Sequence, residues 1–305
     1  MSNRIDLFVI GAGVAGMTAA EQASRRGLKV ALAEETMFGG LVMNVNHLDP
    51  RPEHMAASGS DLAAEMMTSA ADLGAEILMT PVISLDRLPS GEIRVETADG
   101  AHLARCALIA SGARLRKLNV PGEQEFEHRG VSQCADCDGP LFRGQAAVVV
   151  GGGDSALQEA AVLSEFCPTV HLVHRRSAFS AREKFVSAVM ANPRVSVHFD
   201  TVVEAIEGED SVASARLRNV ASGETKSVPC RGFFAFVGLE PNTGFLPPAI
   251  EKERGHIRVN EKLETSLEGV YAIGAVRAGY TGDLTAAIED ATRAVEAAHV
   301  RLTQM

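Results

Sequence analysis

Basic residues are scarce: 29 Lys+Arg stand against 39 Asp+Glu in 305 residues, a formal net charge of −10. Surfaces that coat nucleic acid or lie on an anionic membrane need a basic excess, and this balance argues against both. No apolar stretch approaches the roughly 20 residues of a membrane-spanning helix. The short run at residues 7–10 passes straight into glycines and predicts a first strand, not a secretory leader. Five cysteines are few and odd in number, which makes a disulfide scaffold improbable and a reducing, cytoplasmic setting the expectation. Low-complexity tracts and charged linkers are also missing. With hydrophobic residues at 46% and charged residues at 22%, the chain is globular. At about 100–200 residues per domain it has room for two, one inserted into the other.

What the sequence does hold is a repeat. Ile5-Asp6-Leu7-Phe8-Val9-Ile10 reads as a buried strand, followed by Gly11-Ala12-Gly13-Val14-Ala15-Gly16 and an alanine-rich helix. Further on, residues 146–150 form a second such run, followed by Gly151-Gly152-Gly153-Asp154-Ser155-Ala156 and a second helix. In both places a strand feeds a glycine turn that opens a helix, the context in which a glycine pattern binds a dinucleotide. Glycines let the backbone approach a pyrophosphate, and the free N–H groups of the helix receive its charge. Between the turns, residues 61–73 predict a helix capped by Asp61 and stopped by Gly74. Residues 82–85, 92–97 and 101–103 then read as short antiparallel strands. The tail returns to strand and turn at Gly269-Val270-Tyr271-Ala272-Ile273-Gly274 and ends in a helix from about residue 284.

The two turns differ at the end of the next strand. After the first, the strand ends at Glu34, whose carboxylate accepts from both hydroxyls of an unphosphorylated ribose, as in FAD or NAD. After the second it ends at His174-Arg175-Arg176, with no acid; two guanidiniums suit a 2′-phosphate, hence NADPH over NADH. Ordinary solvated side chains are the plainer alternative for Glu34 and for the arginines. Cys134-Ala135-Asp136-Cys137-Asp138 brings two thiols to disulfide-forming spacing, with Asp138 placed to shuttle a proton. Half a zinc site is the alternative, but the only other pair, His171 and His174, would point to opposite faces of a strand, so no metal is expected. Cys106, Cys167 and Cys230 sit in apolar company as core residues.

Over nearly its whole length the sequence resembles the low-molecular-weight thioredoxin reductases, flavoproteins of the disulfide reductase type. Beside both turns, the resemblance rests on Gly39-Gly40, Ile109-Ala110-Ser111-Gly112-Ala113, Val120-Pro121-Gly122-Glu123, the segment from Arg129 through Gly139, and Val237-Gly238-Leu239-Glu240-Pro241-Asn242-Thr243. It implies an α/β fold of two Rossmann-like three-layer domains: an FAD domain of residues 1–114 and 239–305, with an NADPH domain of residues 115–238 inserted. FAD would be bound by Gly11, Gly13, Ala15, Gly16, Glu34, Gly39, Gly40, Ala110, Gly112, Gly274 and Ala275. NADPH would be bound by Gly151, Gly153, Asp154, Ser155, Ala156, His174, Arg175, Arg176 and Arg182. Electrons would pass from NADPH to FAD, to the Cys134/Cys137 pair, and after a domain rotation to the disulfide of thioredoxin or a thioredoxin-like dithiol protein. A homodimer is also implied.

Departures from the family pattern cluster at the flavin. Leu41 replaces a glutamine, Pro50-Arg51-Pro52-Glu53 an Asn-x-Pro-Gly segment, Ala275 the aspartate that grips the ribityl chain, and Thr281-Gly282, next to Asp283, an Arg-Gln pair. Ser180 stands in place of an arginine, with Arg182 close by. FAD is therefore expected to bind, but more weakly than the family pattern gives. A related flavoprotein dithiol oxidase or small-molecule oxidoreductase, and a nucleotide-sensing protein without efficient flavin chemistry, are the competing functions.

Overall fold

A computed structural model describes residues 4–45, 48 and 58–304. The chain divides into two compact units, Met1–Arg114 with Glu240–Met305, and Leu115–Leu239.

In the first unit the apolar strand Ile5–Ile10 lies between Val30–Glu34 and Gly100–Ile109, parallel to both, with Glu76–Met79 beyond Val30–Glu34. Its residues alternate between two faces. Leu7 and Val9 pack with Met17, Leu108 and Ala294 beneath the helices Val14–Arg25 and Leu284–Gln304. Phe8 and Ile10 pack on the other face with Leu85, Ile93, Val95 and Ile109. Both faces are covered, so the strand reads as a continuous apolar run.

Gly100–Ile109 is one strand of ten residues where the sequence predicts a short one. Its first half pairs antiparallel with Ile93–Thr97, and its second half pairs parallel with Val270–Ala272 along the same edge. The side-chain pattern changes where the partner does, from alternating burial to a fully buried Cys106-Ala107-Leu108-Ile109. The helix predicted from Asp61 is Gly59–Asp72, and its cap is Ser58, whose Oγ accepts from the Asp61 N–H at 3.1 Å and donates to the Asp61 carboxylate at 2.7 Å. Asp61 is the N3 residue, and the Ser58 hydroxyl engages both its N–H and its carboxylate. Gly74, at φ +90°, stops the helix, with its own N–H and that of Ala75 returned to Ala71 and Ala70.

The second unit centres on Ala147–Gly151, buried throughout, in a five-stranded sheet. Val170–Val173 and then Val195–His198 extend it on one side, Gly232–Phe236 and then Val131–Ser132 on the other, all parallel. The helix Asp154–Phe166 buries Ala156, Leu157, Ala160 and Leu163. A separate antiparallel sheet joins Thr201–Gly208, Val212–Asn219 and Thr225–Pro229. No helix among the described residues is long and apolar enough to cross a membrane.

Candidate functional site

Strand Ile5–Ile10 delivers the chain to Gly11, at φ +100°. A Cβ there would stand 2.5 Å from the Ala110 carbonyl oxygen, and one at Gly16 would stand 1.9 Å from that of Gly11. The turn, the helix and the strand end at Ala110 are thus in contact that only glycine permits. Gly13 differs: a Cβ there would meet nothing nearer than the Gly39 carbonyl oxygen at 3.9 Å. It begins the helix Val14–Arg25, which has no side-chain cap and no acid in its first turn, so none of the helix's own side chains offsets its positive end. Gly39 bridges to Gly13 and donates its N–H to Ala12 at 2.7 Å, closing the cradle with bare backbone beside Gly40.

Glu34, at the end of its strand, turns back over this cradle. Its Oε2 accepts from the Ala12 N–H at 2.8 Å, and its Oε1 accepts from Glu35 and Thr36 at 3.0 and 3.2 Å. A bare-backbone cradle with a carboxylate at its rim fits the adenosine and pyrophosphate of a dinucleotide. Gly112, at φ +65°, lies where the two chain segments of this unit meet: Ser111 and Asn242 exchange two hydrogen bonds of 2.8 Å.

The strand Val270–Ala272 leads to Gly274, beside Ala15, where a Cβ would come within 3.2 Å of the alanine Cβ. The Gly274 N–H donates to Asp290 Oδ2 at 2.9 Å, and Arg277 meets both oxygens of the same carboxylate at 2.6 and 2.7 Å. Asp290 is only 2% exposed. Ala275 offers no carboxylate. Asp283 does not replace it, since it accepts from the Ala286 N–H and the Thr281 hydroxyl, both at 2.8 Å, and so caps the last helix. Those contacts, the Ala286 N–H first, hold its carboxyl below the usual range. Leu41 is exposed, and Pro50-Arg51-Pro52-Glu53 lies outside the described residues. Removing one partner of a buried ion pair strands the other, at a cost of about 3–5 kcal/mol. Asp290→Ala is therefore expected to lower unfolding free energy by about that much in a urea titration.

At the second turn, Gly151 and Gly152 are closed in. A Cβ on Gly151 would lie 2.4 Å from the Phe236 carbonyl oxygen, and one on Gly152 would run into the His174 ring, while Gly153 faces open space. His174 is buried, with Nε2 on the Ala178 carbonyl at 3.0 Å, and burial pushes its pKa down. A neutral imidazole packed under the turn supports the loop. Arg175 and Arg176 are exposed, and their side chains form no ion pair among the described residues. Arg182 is engaged: its backbone N–H and its Nε donate to Asp154, at 2.7 and 2.5 Å, and these bonds lower the Asp154 pKa. The acid in the first turn of this helix is thereby matched by a cation. Ser155 is exposed and Ala156 buried.

The cysteine pair follows the strand Val131–Ser132. Cys134 and Cys137 form a disulfide with Cα atoms 5.4 Å apart. Cys134 is buried and caps the short helix Ala135–Asp138, its sulfur accepting from the Cys137 N–H at 3.1 Å, while Cys137 is exposed. Asp138 ends the same helix. A residue that sequence reasoning missed, Glu159 on the helix Asp154–Phe166, accepts from the Ala135 N–H at 2.7 Å. Burial pushes its carboxyl up to about 7, against the Ala135 bond and with help from Asp136. Only its place beside the buried residues Ala156 and Ala160 marks it in the sequence.

Cys106, Cys167 and Cys230 are free and buried. Burial raises the pKa of all three, to about 11 for Cys106 and about 12 for Cys230, which makes them poor nucleophiles. His171 pairs with His198 at 3.1 Å, away from the Ala178 contact of His174. Among the described residues no group of three His, Cys, Asp or Glu is placed to hold a metal ion.

Two glycine turns on parallel sheets and a cysteine pair define a dinucleotide-dependent disulfide oxidoreductase. The chain belongs to the pyridine nucleotide-disulphide oxidoreductase family, whose profile matches residues 5–298. It is 37% identical over 299 residues to the thioredoxin reductase of Treponema pallidum (strain Nichols), covering 98% of this chain and 97% of that one. It is 34% identical to the thioredoxin reductase of Streptomyces coelicolor, covering 97% of this chain and 94% of the relative. The crystal structure of Lactococcus lactis thioredoxin reductase superposes with a TM-score of 0.93 at 32% identity, over 99% of this chain and all of that one. The chain is an oxidoreductase resembling the thioredoxin reductases, with their two Rossmann-like folds.

Proposed function

We propose that this protein is an NADPH-dependent, FAD-containing disulfide reductase that reduces thioredoxin or a thioredoxin-like dithiol protein. One observation carries the reading: a disulfide between one buried and one exposed cysteine lies in the same unit as a dinucleotide turn whose next strand ends in two arginines that form no ion pair among the described residues. Residues 1–114 and 239–305 form the FAD domain, with Gly11, Gly13, Ala15, Gly16, Glu34, Gly39, Gly40, Ala110, Gly112 and Gly274 toward the cofactor. Residues 115–238 form the NADPH domain. There Gly151, Gly153, Ser155 and Ala156 shape the turn, Arg175 and Arg176 receive the 2′-phosphate, His174 props the loop, and Asp154 and Arg182 hold its rim.

When bound, FAD supplies the two-electron carrier that nicotinamide and thiol chemistry require. Once the pair is reduced, the exposed Cys137 attacks the partner's disulfide as a thiolate and forms a mixed disulfide. Cys134 then attacks Cys137, closing the internal disulfide and releasing the partner as a dithiol. Asp138 takes and returns the thiol protons. Leu141, 73% exposed just beyond the helix, offers the partner an apolar contact. The same reading carries a homodimer in a reducing cytoplasm. NADPH oxidation with oxidised thioredoxin tests it: one dithiol formed per NADPH consumed supports the reading, and consumption without dithiol rejects it.

The proposal also sets an expectation for Ala275. A charged hydrogen bond to a ribityl hydroxyl is worth about 1.5–3 kcal/mol, or roughly 10- to 100-fold in affinity. Asp283 is spent on its helix cap. Ala275→Asp is therefore expected to lower the FAD dissociation constant by about that factor, read by flavin release on dilution, and an unchanged constant contradicts it.

A further inference from the structure

The two glycine turns differ at the start of the helix that each one opens. The helix Val14–Arg25 has no acid in its first turn, whereas the second helix begins with Asp154 itself. A carboxylate there stands beside the N–H groups that would receive a phosphate, and it repels one. The preceding residue, Gly153, gives no side-chain cap, and a Cβ on it would meet nothing within 4 Å. Residues 180–182 come to this turn from 28 positions away. Ser180 donates its N–H and its hydroxyl to the Gly152 carbonyl, at 2.8 and 3.1 Å. Arg182 donates its backbone N–H to Asp154 Oδ1 at 2.7 Å and its Nε to Oδ2 at 2.5 Å. The Ser180 bonds and the Arg182 N–H tie the loop to the turn; the guanidinium alone adds a charge. Its side chain is 67% exposed, and an ion pair that open contributes little to stability. Its charge therefore matters more to an anion arriving at the turn than to the fold. Lys184 also acts on Asp154, through charge alone, with its ammonium over the Phe185 ring at 4.8 Å.

We propose that Arg182 is a positioning residue for the pyrophosphate of the nucleotide and not a ligand of its 2′-phosphate: the guanidinium neutralises Asp154, so that the helix Asp154–Phe166 can receive phosphate charge. This rests on the reading of the second turn as a nucleotide site. Ser180 stands where the family pattern has an arginine. Arg182, two residues on, does not take over that task, because its guanidinium is held by the acid of the turn. Discrimination by the 2′-phosphate then falls to the exposed Arg175 and Arg176, while Arg182 acts equally on nucleotides with and without that phosphate.

Equilibrium binding to the full-length FAD-loaded protein tests this, by calorimetry with NADP⁺ and with ADP-ribose, which carries the pyrophosphate but no 2′-phosphate. The bound FAD keeps both probes from the first turn. Arg182→Ala keeps the backbone bond to Asp154. It is expected to weaken both probes by the same factor, about three- to tenfold, the size of one partly screened charge repulsion. That loss is expected to shrink as sodium chloride is raised from about 0.05 to about 0.5 M. Arg182→Lys keeps the charge and is expected to bind like the wild type. Asp154→Asn keeps an acceptor for the Arg182 N–H and is expected to bind both probes at least as tightly as the wild type. Adding Asp154→Asn to Arg182→Ala is expected to restore both affinities to within about twofold of the wild type. A loss for NADP⁺ with ADP-ribose unchanged makes Arg182 a 2′-phosphate ligand and overturns the proposal. It is also overturned by a loss that Asp154→Asn does not restore, which assigns Arg182 to the structure of the loop, and by no loss at all. A wild type that binds neither probe overturns the nucleotide reading itself.

Discussion

Replacing Cys134 or Cys137 by serine is expected to abolish NADPH-driven disulfide reduction, with turnover falling at least about a thousandfold, as when a nucleophile is removed. NADPH should still bleach the flavin in both variants. In the proposed mechanism the two sulfurs act as one unit: the exposed Cys137 attacks the partner, and the buried Cys134 resolves the mixed disulfide. Cys137→Ser leaves no exposed attacker, and Cys134→Ser leaves the partner attached. Cys106, Cys167 and Cys230 cannot substitute, because burial holds their thiols protonated. Steady-state assays with thioredoxin and with a small aromatic disulfide measure the loss, and turnover retained in either variant contradicts the mechanism.

The second large effect is expected at the arginines after the strand Val170–Val173. Each charge-assisted contact to a 2′-phosphate is worth on the order of 1.5–3 kcal/mol, so two give about a hundredfold or more in preference. Arg175→Ala with Arg176→Ala is expected to cut kcat/KM for NADPH by at least about a hundredfold and to leave that for NADH within a fewfold. Neither side chain holds the fold through an ion pair among the described residues, so the loss is readable as recognition. His174 and Arg182 are poorer targets: the ring fills space under Gly152 and the guanidinium balances Asp154. Equal kcat/KM for the two nucleotides in the wild type contradicts the assignment.

The elements that were legible in the sequence are those where one residue type is obligatory. Gly11 and Gly16 have carbonyl oxygens where a Cβ would stand, so the turn announces itself in glycine. The strand that the sequence ends at His174-Arg175-Arg176 is Val170–Val173, with Leu172 and Val173 buried. The strand Gly100–Ile109 was expected to be short because its pattern shifts where its edge partner changes, and that partner comes from residues 270–272. Ser58 caps the helix assigned to Asp61 because its hydroxyl accepts the Asp61 N–H and donates to the Asp61 carboxylate. Asp290 could not be read at all, and Glu159 only as a neighbour of the buried Ala156 and Ala160. Both acids are placed by their donors, and these lie 24 residues away at Ala135 and 16 and 13 residues away at Gly274 and Arg277.

The central claim is that electrons from NADPH reach the Cys134–Cys137 disulfide through a flavin. An anaerobic titration of the purified protein with NADPH, followed by absorption and by alkylation of the quenched samples, tests it most directly. A flavin spectrum that bleaches while two new thiols per chain appear at Cys134 and Cys137 is the predicted result. A bleached or unchanged flavin with the disulfide intact, or a protein that carries no flavin, contradicts it.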